Sequence, residues 1–214
     1  MRPFSPEEQR AAAALYRELA KGKAVDADQL GRALGISSAE SRALLQRDAI
    51  KRFVYPDDRG RVLGFGGLAA APMRHRFEVE GRTLWTWCAW DSLFIPEILG
   101  HPARVASADP ETGEMVRLVV TPDRIESVVP DGAVVSFIRP EARVFDTSAA
   151  NVMAKFCHFV FFFSSRASGE RWTAKHPDTF LYSLDDAFAL GKRLNTRNFG
   201  PVLAGRAQSR APAA

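Results

Sequence analysis

Apolar positions recur at helical spacing through the first fifty residues, then give way to short alternating runs. Ser5, followed by Pro6 and by Glu8 three residues after Ser5, has capping-box spacing with proline at the first helical position, and Gly22 supplies a stop. A second helix is predicted in "DADQLGRALGI", with Asp26 as cap, Leu30, Leu34 and Ile36 apolar, and Gly35 making the turn. A third opens on Ser37 and Glu40 in "SSAESRALLQRDAI" and directs Leu44, Leu45 and Ala49 to a core. "FVYPDDRGRVLGF" then reads as two short strands around a turn at residues 57–60. Residues 1–66 are therefore predicted to form a winged-helix-like module of three helices plus a hairpin.

From residue 67 the texture becomes β. "GGLAAAPM" reads as a small-residue linker, and "HRFEVEGRTLWTW" as a hairpin around Gly81. "ARVASAD", "EMVRLVVTP", "AVVSFIRP" and "FCHFVFFFSS" follow as further strands, and "SLDDAFALGKRLN" closes with a helix capped by Ser183 and Asp186. The predicted class is α+β: the N-terminal module, then a mixed, mainly antiparallel sheet domain with flanking helices over residues 67–200. The tail from residue 201 to 214, rich in Ala, Arg, Ser and Pro, has little to bury and is predicted to be disordered.

Composition adds constraints to this outline. With 46% hydrophobic and 25% charged residues in a chain of 214, usage is that of an ordinary globular protein able to build a sizeable core. The net charge of +4 comes from 29 basic and 25 acidic side chains that are interspersed. Within residues 1–66 there are 12 basic against 9 acidic side chains, and the candidate recognition helix sets Arg42 and Arg47 beside Glu40 and Asp48. A module that must neutralise several phosphates needs a stronger footprint, so the charge favours a structural role over DNA binding. Two cysteines cannot make a disulfide framework and suit a reducing, cytoplasmic setting. The acidic N-terminus does not read as a signal peptide, and the apolar run "FVFFFSS" is too short to span a bilayer.

The candidate chemistry lies in "TWCAWDSLFIPEILG". Here Cys88 precedes Asp91 by three residues among Trp85, Trp87, Trp90, Leu93 and Phe94. A carboxylate in apolar company is costly without a partner. A helix starting near Cys88 would bring the two side chains together and lower the thiol pKa. The plainer alternative is a buried small hydrophobe beside a first-turn helix residue. If "FCHFVFFFSS" is a strand, Cys157, Phe159, Phe161 and Phe163 share one face, and His158, Val160 and Phe162 the other. CxxC, HExxH, GxSxG, P-loop and GxGxxG motifs are absent. Two thiols and one carboxylate are too few for a usual structural zinc site unless His75, His101, His158 or His176 joins them. Thiolates suit a soft, low-coordinate ion such as Hg(II) or Cu(I).

The segment "RTLWTWCAWDSLFIPEILG", followed by "ARVASADPETGEMVRLVVTP", closely resembles the active-site region of organomercurial lyases, or alkylmercury lyases. "KFCHFVFFFSS", "WTAKHP" and "SLDDAFALGKRLN" resemble the region that carries the family's second catalytic cysteine, in the same order. The likeness runs over roughly residues 25–195. It implies a catalytic set of Cys88, Asp91 and Cys157, with His158 and Asp109 near positions where some relatives carry additional cysteines.

The resemblance further implies protonolysis of carbon–mercury bonds to a hydrocarbon and Hg(II). Cys88 and Cys157 would hold the metal product, and Asp91 would relay the proton. Trp87, Trp90, Phe156 and Phe159 would line a pocket for the organic group, although each reads equally well as plain core. No resident cofactor is implied. Low-molecular-weight thiols or a mercuric reductase would remove Hg(II), as in mercury resistance and detoxification. A metal-sensing regulator or a soft-metal carrier without catalysis remains the alternative, and Asp91 separates them because a carrier has no use for a proton donor.

Overall fold

Reciprocal capping boxes start the first three helices. The Ser5 hydroxyl accepts from the Glu8 N–H at 3.3 Å while the Glu8 carboxylate accepts from the Ser5 N–H at 2.8 Å. The same exchange joins Asp26 to Gln29 and Ser37 to Glu40. Each cap satisfies donors that the helix leaves unpaired and contributes about 1 kcal/mol. The computed structural model describes residues 3–139 and 148–210, with the side chains of residues 205–210 excepted.

The N-terminal module is α1 (Pro6–Leu19), α2 (Ala27–Leu34), α3 (Ser38–Gln46) and a further short turn of helix, α4 (Asp48–Lys51). The hairpin β1 (Val54–Pro56) and β2 (Val62–Phe65) follows as expected. α1 is buried along most of its length, because the alanines at 11–14 let neighbouring elements approach closely while Leu15, Tyr16 and Leu19 fill the core beyond them.

The hairpin is not a separate wing. Gly66 and Gly67 turn β2 into β3 (Leu68–Ala69), which pairs with β5 (Arg82–Thr86). One eight-stranded sheet therefore runs β1-β2-β3-β5-β4-β6-β7-β8, with β4 (His75–Val79), β6 (Ala103–Ala108), β7 (Met115–Val120) and β8 (Ile125–Val129). The stretch predicted as a linker thus contains a strand whose Leu68 and Ala69 are wholly buried. Small residues there serve close packing, which composition alone does not distinguish from a flexible connection. The proposed boundary after residue 66 falls inside this sheet.

A second sheet places β9 (Val134–Ile138) between β10 (Phe162–Phe163) and β11 (Thr179–Ser183). Every strand pairing among the described residues is antiparallel. The remaining helices are α5 (Asp91–Leu99), α6 (Ala149–Lys155), α7 (Arg166–Ala174) and α8 (Leu184–Arg210). Leu15, Leu30, Ile50, Phe65, Leu68, Phe77, Leu84 and Leu93 belong to a single apolar cluster, so the helical module and the large sheet share one core. Val134, Phe161, Phe163 and Trp172 form a satellite.

Two further expectations change. "FCHFVFFFSS" is not one strand: after α6, Phe156 leaves helical geometry, residues Cys157–Phe159 make a 3₁₀ turn, and only Phe162–Phe163 joins a sheet. An apolar run with few polar positions carries no period to separate strand from turn. The tail from residue 201, read as disordered, continues α8 through Pro201 to Arg210, with Phe199 buried and Leu203 still packed on the core. Residues 211–214 of that prediction lie outside the described residues. Among those described, no helix is long and apolar enough to cross a membrane.

Candidate active site

Cys88 lies in the short connection between β5 and α5, which is pinned from several directions. The Thr86 hydroxyl donates to the Cys88 carbonyl at 2.9 Å, and the Ala89 N–H donates to the Val160 carbonyl at 3.1 Å. The second bond fastens this loop to the segment following Cys157. Trp90 reaches the other way, its indole N–H donating to the Ala187 carbonyl of α8 at 2.9 Å. Its ring meets Phe137 of β9 at 5.3 Å and Phe156 at 6.1 Å in edge-to-face contacts. Opposite it, Ser136 of β9 holds the other arm: its hydroxyl donates to the Phe159 carbonyl at 2.7 Å and accepts from the Phe161 N–H at 3.0 Å.

These restraints bring Cys88, Asp91 and Cys157 together. A ligand atom from each lies within 4.8 Å of the others, and all three residues are buried. The cysteines are unbridged. Asp91 is the first residue of α5, and its Oδ2 accepts a hydrogen bond from the Cys88 N–H at 2.8 Å. Cys88 and Asp91 therefore meet across the turn preceding the helix, not on a helix face.

The electrostatics follow from burial. Desolvation raises Asp91 to about 7, although hydrogen bonds from the Cys88 side chain and backbone pull the other way. Desolvation, the hydrogen bond to Cys157 and the charge of Asp91 drive the Cys88 thiol well above its ordinary value. At Cys157 the hydrogen bond with Cys88 favours the thiolate, but desolvation and the Asp91 charge outweigh it and the net shift is upward. The expectation of a lowered Cys88 pKa is thus overturned, since the thiol sits before the helix in an apolar enclosure where desolvation dominates. Both sulfurs hold their protons at neutral pH, next to a carboxyl that titrates there.

The proposed pocket residues divide. Trp87 is buried beside Cys88, and Trp90 and Phe156 pack together next to the triplet. Phe159 packs on the satellite cluster and makes an edge contact with His176. The four histidines all lie outside the triplet. His75 is buried against Ser107, with its pKa driven down to about 3 by desolvation and by Arg74. His101 is placed beside Glu80, His158 is exposed, and His176 stacks on Trp172. The one described group of His, Cys, Asp and Glu side chains able to hold an ion is Cys88, Asp91 and Cys157.

Asp109 has a structural part. Its buried Oδ2 accepts from the Ser164 N–H at 2.8 Å, the Ser164 hydroxyl at 3.0 Å and the Ser168 hydroxyl at 2.7 Å, tying the turn after β6 to the start of α7. Burial opposes its charge, but those bonds and one from the Glu111 N–H hold the carboxyl below its usual range.

Sequence reasoning missed Tyr16, Gly66 and Gly67, which back the site from the N-terminal side. The "GFGG" tetrapeptide was the available signal, since paired glycines mark close backbone approach as readily as a linker.

Comparison with known proteins places the chain in a family. Residues 68–196 match the family model MerB, alkylmercury lyase. The alkylmercury lyase of Staphylococcus epidermidis is 38% identical over 183 residues, covering 86% of this chain and 80% of that protein. That of Streptomyces lividans is 38% identical over 84% of this chain and 79% of its own length, and that of Pseudomonas putida 34% over 83% and 79%. Among solved structures, the mercury-bound form of MerB2 matches with a TM-score of 0.73 over 90% of this chain and 92% of that one, at 22% identity, a likeness of fold. The matched segment contains both cysteines and the aspartate of the buried triplet, and the chain belongs to the alkylmercury lyase family.

Proposed function

We propose that this protein is an organomercurial lyase, cleaving the carbon–mercury bond of RHg–X by protonation to give RH and Hg(II). The observation that carries the reading is the buried triplet of two thiols and one acid whose pKa lies near neutrality. One thiol captures the metal, displacing X, and its proton departs with X. The second thiol then binds mercury while its proton passes to Asp91 and on to the carbon, which leaves as hydrocarbon. Hg(II) stays on Cys88 and Cys157. Electron density pushed from two sulfurs through mercury makes the carbon basic enough to accept a proton.

The raised thiol pKa values support the need for Asp91 as acceptor, because the sulfurs carry protons that must go somewhere when mercury binds. A carboxyl near 7 is matched both to take a proton and to give it up at neutral pH. Trp87, Trp90 and Phe156 are the neighbours suited to accept the organic group. Departure of Hg(II) requires a competing nucleophile, supplied by low-molecular-weight thiols or a mercuric reductase, and no resident cofactor takes part. Two free cysteines fit a reducing cytoplasm.

A soft-metal carrier or regulator would use the two sulfurs alone, and the buried acid against them argues for catalysis. Incubation with phenylmercury or methylmercury plus excess thiol should release benzene or methane. Stoichiometric mercury capture without hydrocarbon would leave only the carrier reading.

A further inference from the structure

Gly66 and Gly67 form a turn squeezed between Tyr16 and Asp91. Gly66 has φ +52, and a Cβ there would overlap the Tyr16 hydroxyl. Gly67 has φ +103, and a Cβ there would stand 2.5 Å from both Cγ and Oδ1 of Asp91. The backbone of residue 67 thus rests directly on the carboxyl group, on the side away from the Cys88 amide that bonds Oδ2. Only glycine fits either position, by conformation and by space.

The turn is held from outside. The Tyr16 hydroxyl donates to the Gly66 carbonyl at 2.6 Å, the Gly66 N–H donates to the Phe53 carbonyl at 3.1 Å, and the Trp87 N–H donates to the Gly67 carbonyl at 2.8 Å. Of these three, Tyr16 alone acts through a side chain. Its ring is locked edge-on against Phe65 at 5.3 Å and Phe199 of α8 at 6.1 Å, and the residue is 3% exposed. The hydroxyl is thus a fixed strut between α1 and the turn.

The geometry points to Tyr16 as a positioning residue for carbon–mercury cleavage: through Gly66 and Gly67 it presses Asp91 into the orientation facing the two thiols and closes that side of the carboxyl to water. The inference rests on the lyase reading and gives the N-terminal helical module a part in the reaction in place of DNA recognition. A proton relay depends on orientation as much as on acidity, and a small misplacement of the acid costs rate without costing soft-metal capture.

Tyr16→Phe removes the strut and keeps the ring contacts, and Gly67→Ala pushes on the carboxyl directly. In Tyr16→Phe, single-turnover benzene release from phenylmercury should fall about tenfold with KM and Hg(II) stoichiometry unchanged. The second readout is independent of activity: the Cys88 amide resonance, which reports its hydrogen bond to Asp91, should move in both variants while amides across the large sheet stay in place. An unmoved Cys88 amide in folded Tyr16→Phe overturns the positioning role whatever the enzyme assay gives. Wild-type protein that binds phenylmercury and yields no benzene would remove the lyase reading, and the amide shift would still decide whether Tyr16 orients Asp91. A loss of Hg(II) capture equal to the loss of cleavage overturns the proposal in favour of general structural damage.

Discussion

The Cys88 N–H donates to Oδ2 of Asp91 at 2.8 Å, so the acid is held against the cysteine by the backbone of that cysteine's own loop. Asparagine at position 91 keeps an oxygen to accept this bond and preserves the volume, but it cannot relay a proton. Asp91→Asn is therefore expected to bind Hg(II) with undiminished stoichiometry while carbon–mercury cleavage falls by about 10²-fold or more, the usual loss for a general acid. Mercury content after desalting and headspace hydrocarbon measure the two halves separately. Wild-type cleavage by this variant would take the relay away from Asp91.

The same residue sets a pH dependence of stability. The folded acid holds its proton up to about 7, whereas a solvated aspartate loses it near 3.8. Between these values the unfolded chain gives up a proton that the native state keeps, so stability falls as pH rises through that window and stays lower above it. Asp91→Asn, which does not ionise, should be more stable than wild type at pH 8 by more than about 1 kcal/mol, equivalent to ~2–4 °C in Tm. The gap should close by about pH 4. Equal Tm values for both proteins across pH 4 to 8 would show that Asp91 is solvated.

Cys88→Ser and Cys157→Ser should each lose both capture and cleavage. A single thiolate neither retains mercury against competing thiols nor pushes enough charge onto the carbon. Tight Hg(II) binding in the presence of millimolar glutathione, retained by either single mutant, would contradict the two-sulfur site.

Turnover should stop after about one equivalent in thiol-free buffer and resume when excess cysteine or glutathione is added, because a bis-thiolate mercury complex exchanges by attack of an incoming thiolate. Steady multiple turnover without added thiol would show that the product leaves by another route.

Much of this molecule is local and therefore legible in the chain. The caps at Ser5, Asp26 and Ser37 decide helix starts from residues three apart, and the left-handed turn at Gly35 follows from one glycine. Cys88 and Asp91 are neighbours in sequence, and the resemblance of two separate segments to one family pairs them with Cys157. Local signals do not carry distance, however. Whether Phe159 joins Trp90 and Phe156 depends on how the chain turns after α6, and an apolar run on which strand and turn agree equally well does not say. The glycines at 66 and 67 look like a linker until α1 and α5 close on them from either side. The thiol pKa values turn upward only once the loop is enclosed, since desolvation is a property of everything packed around a group. Residue type and spacing singled out Cys88 and Asp91 as candidates, and the family resemblance added Cys157. The shared core of the helical module and the sheet decided their protonation and their orientation, because burial and close approach are sums over contacts from distant parts of the chain.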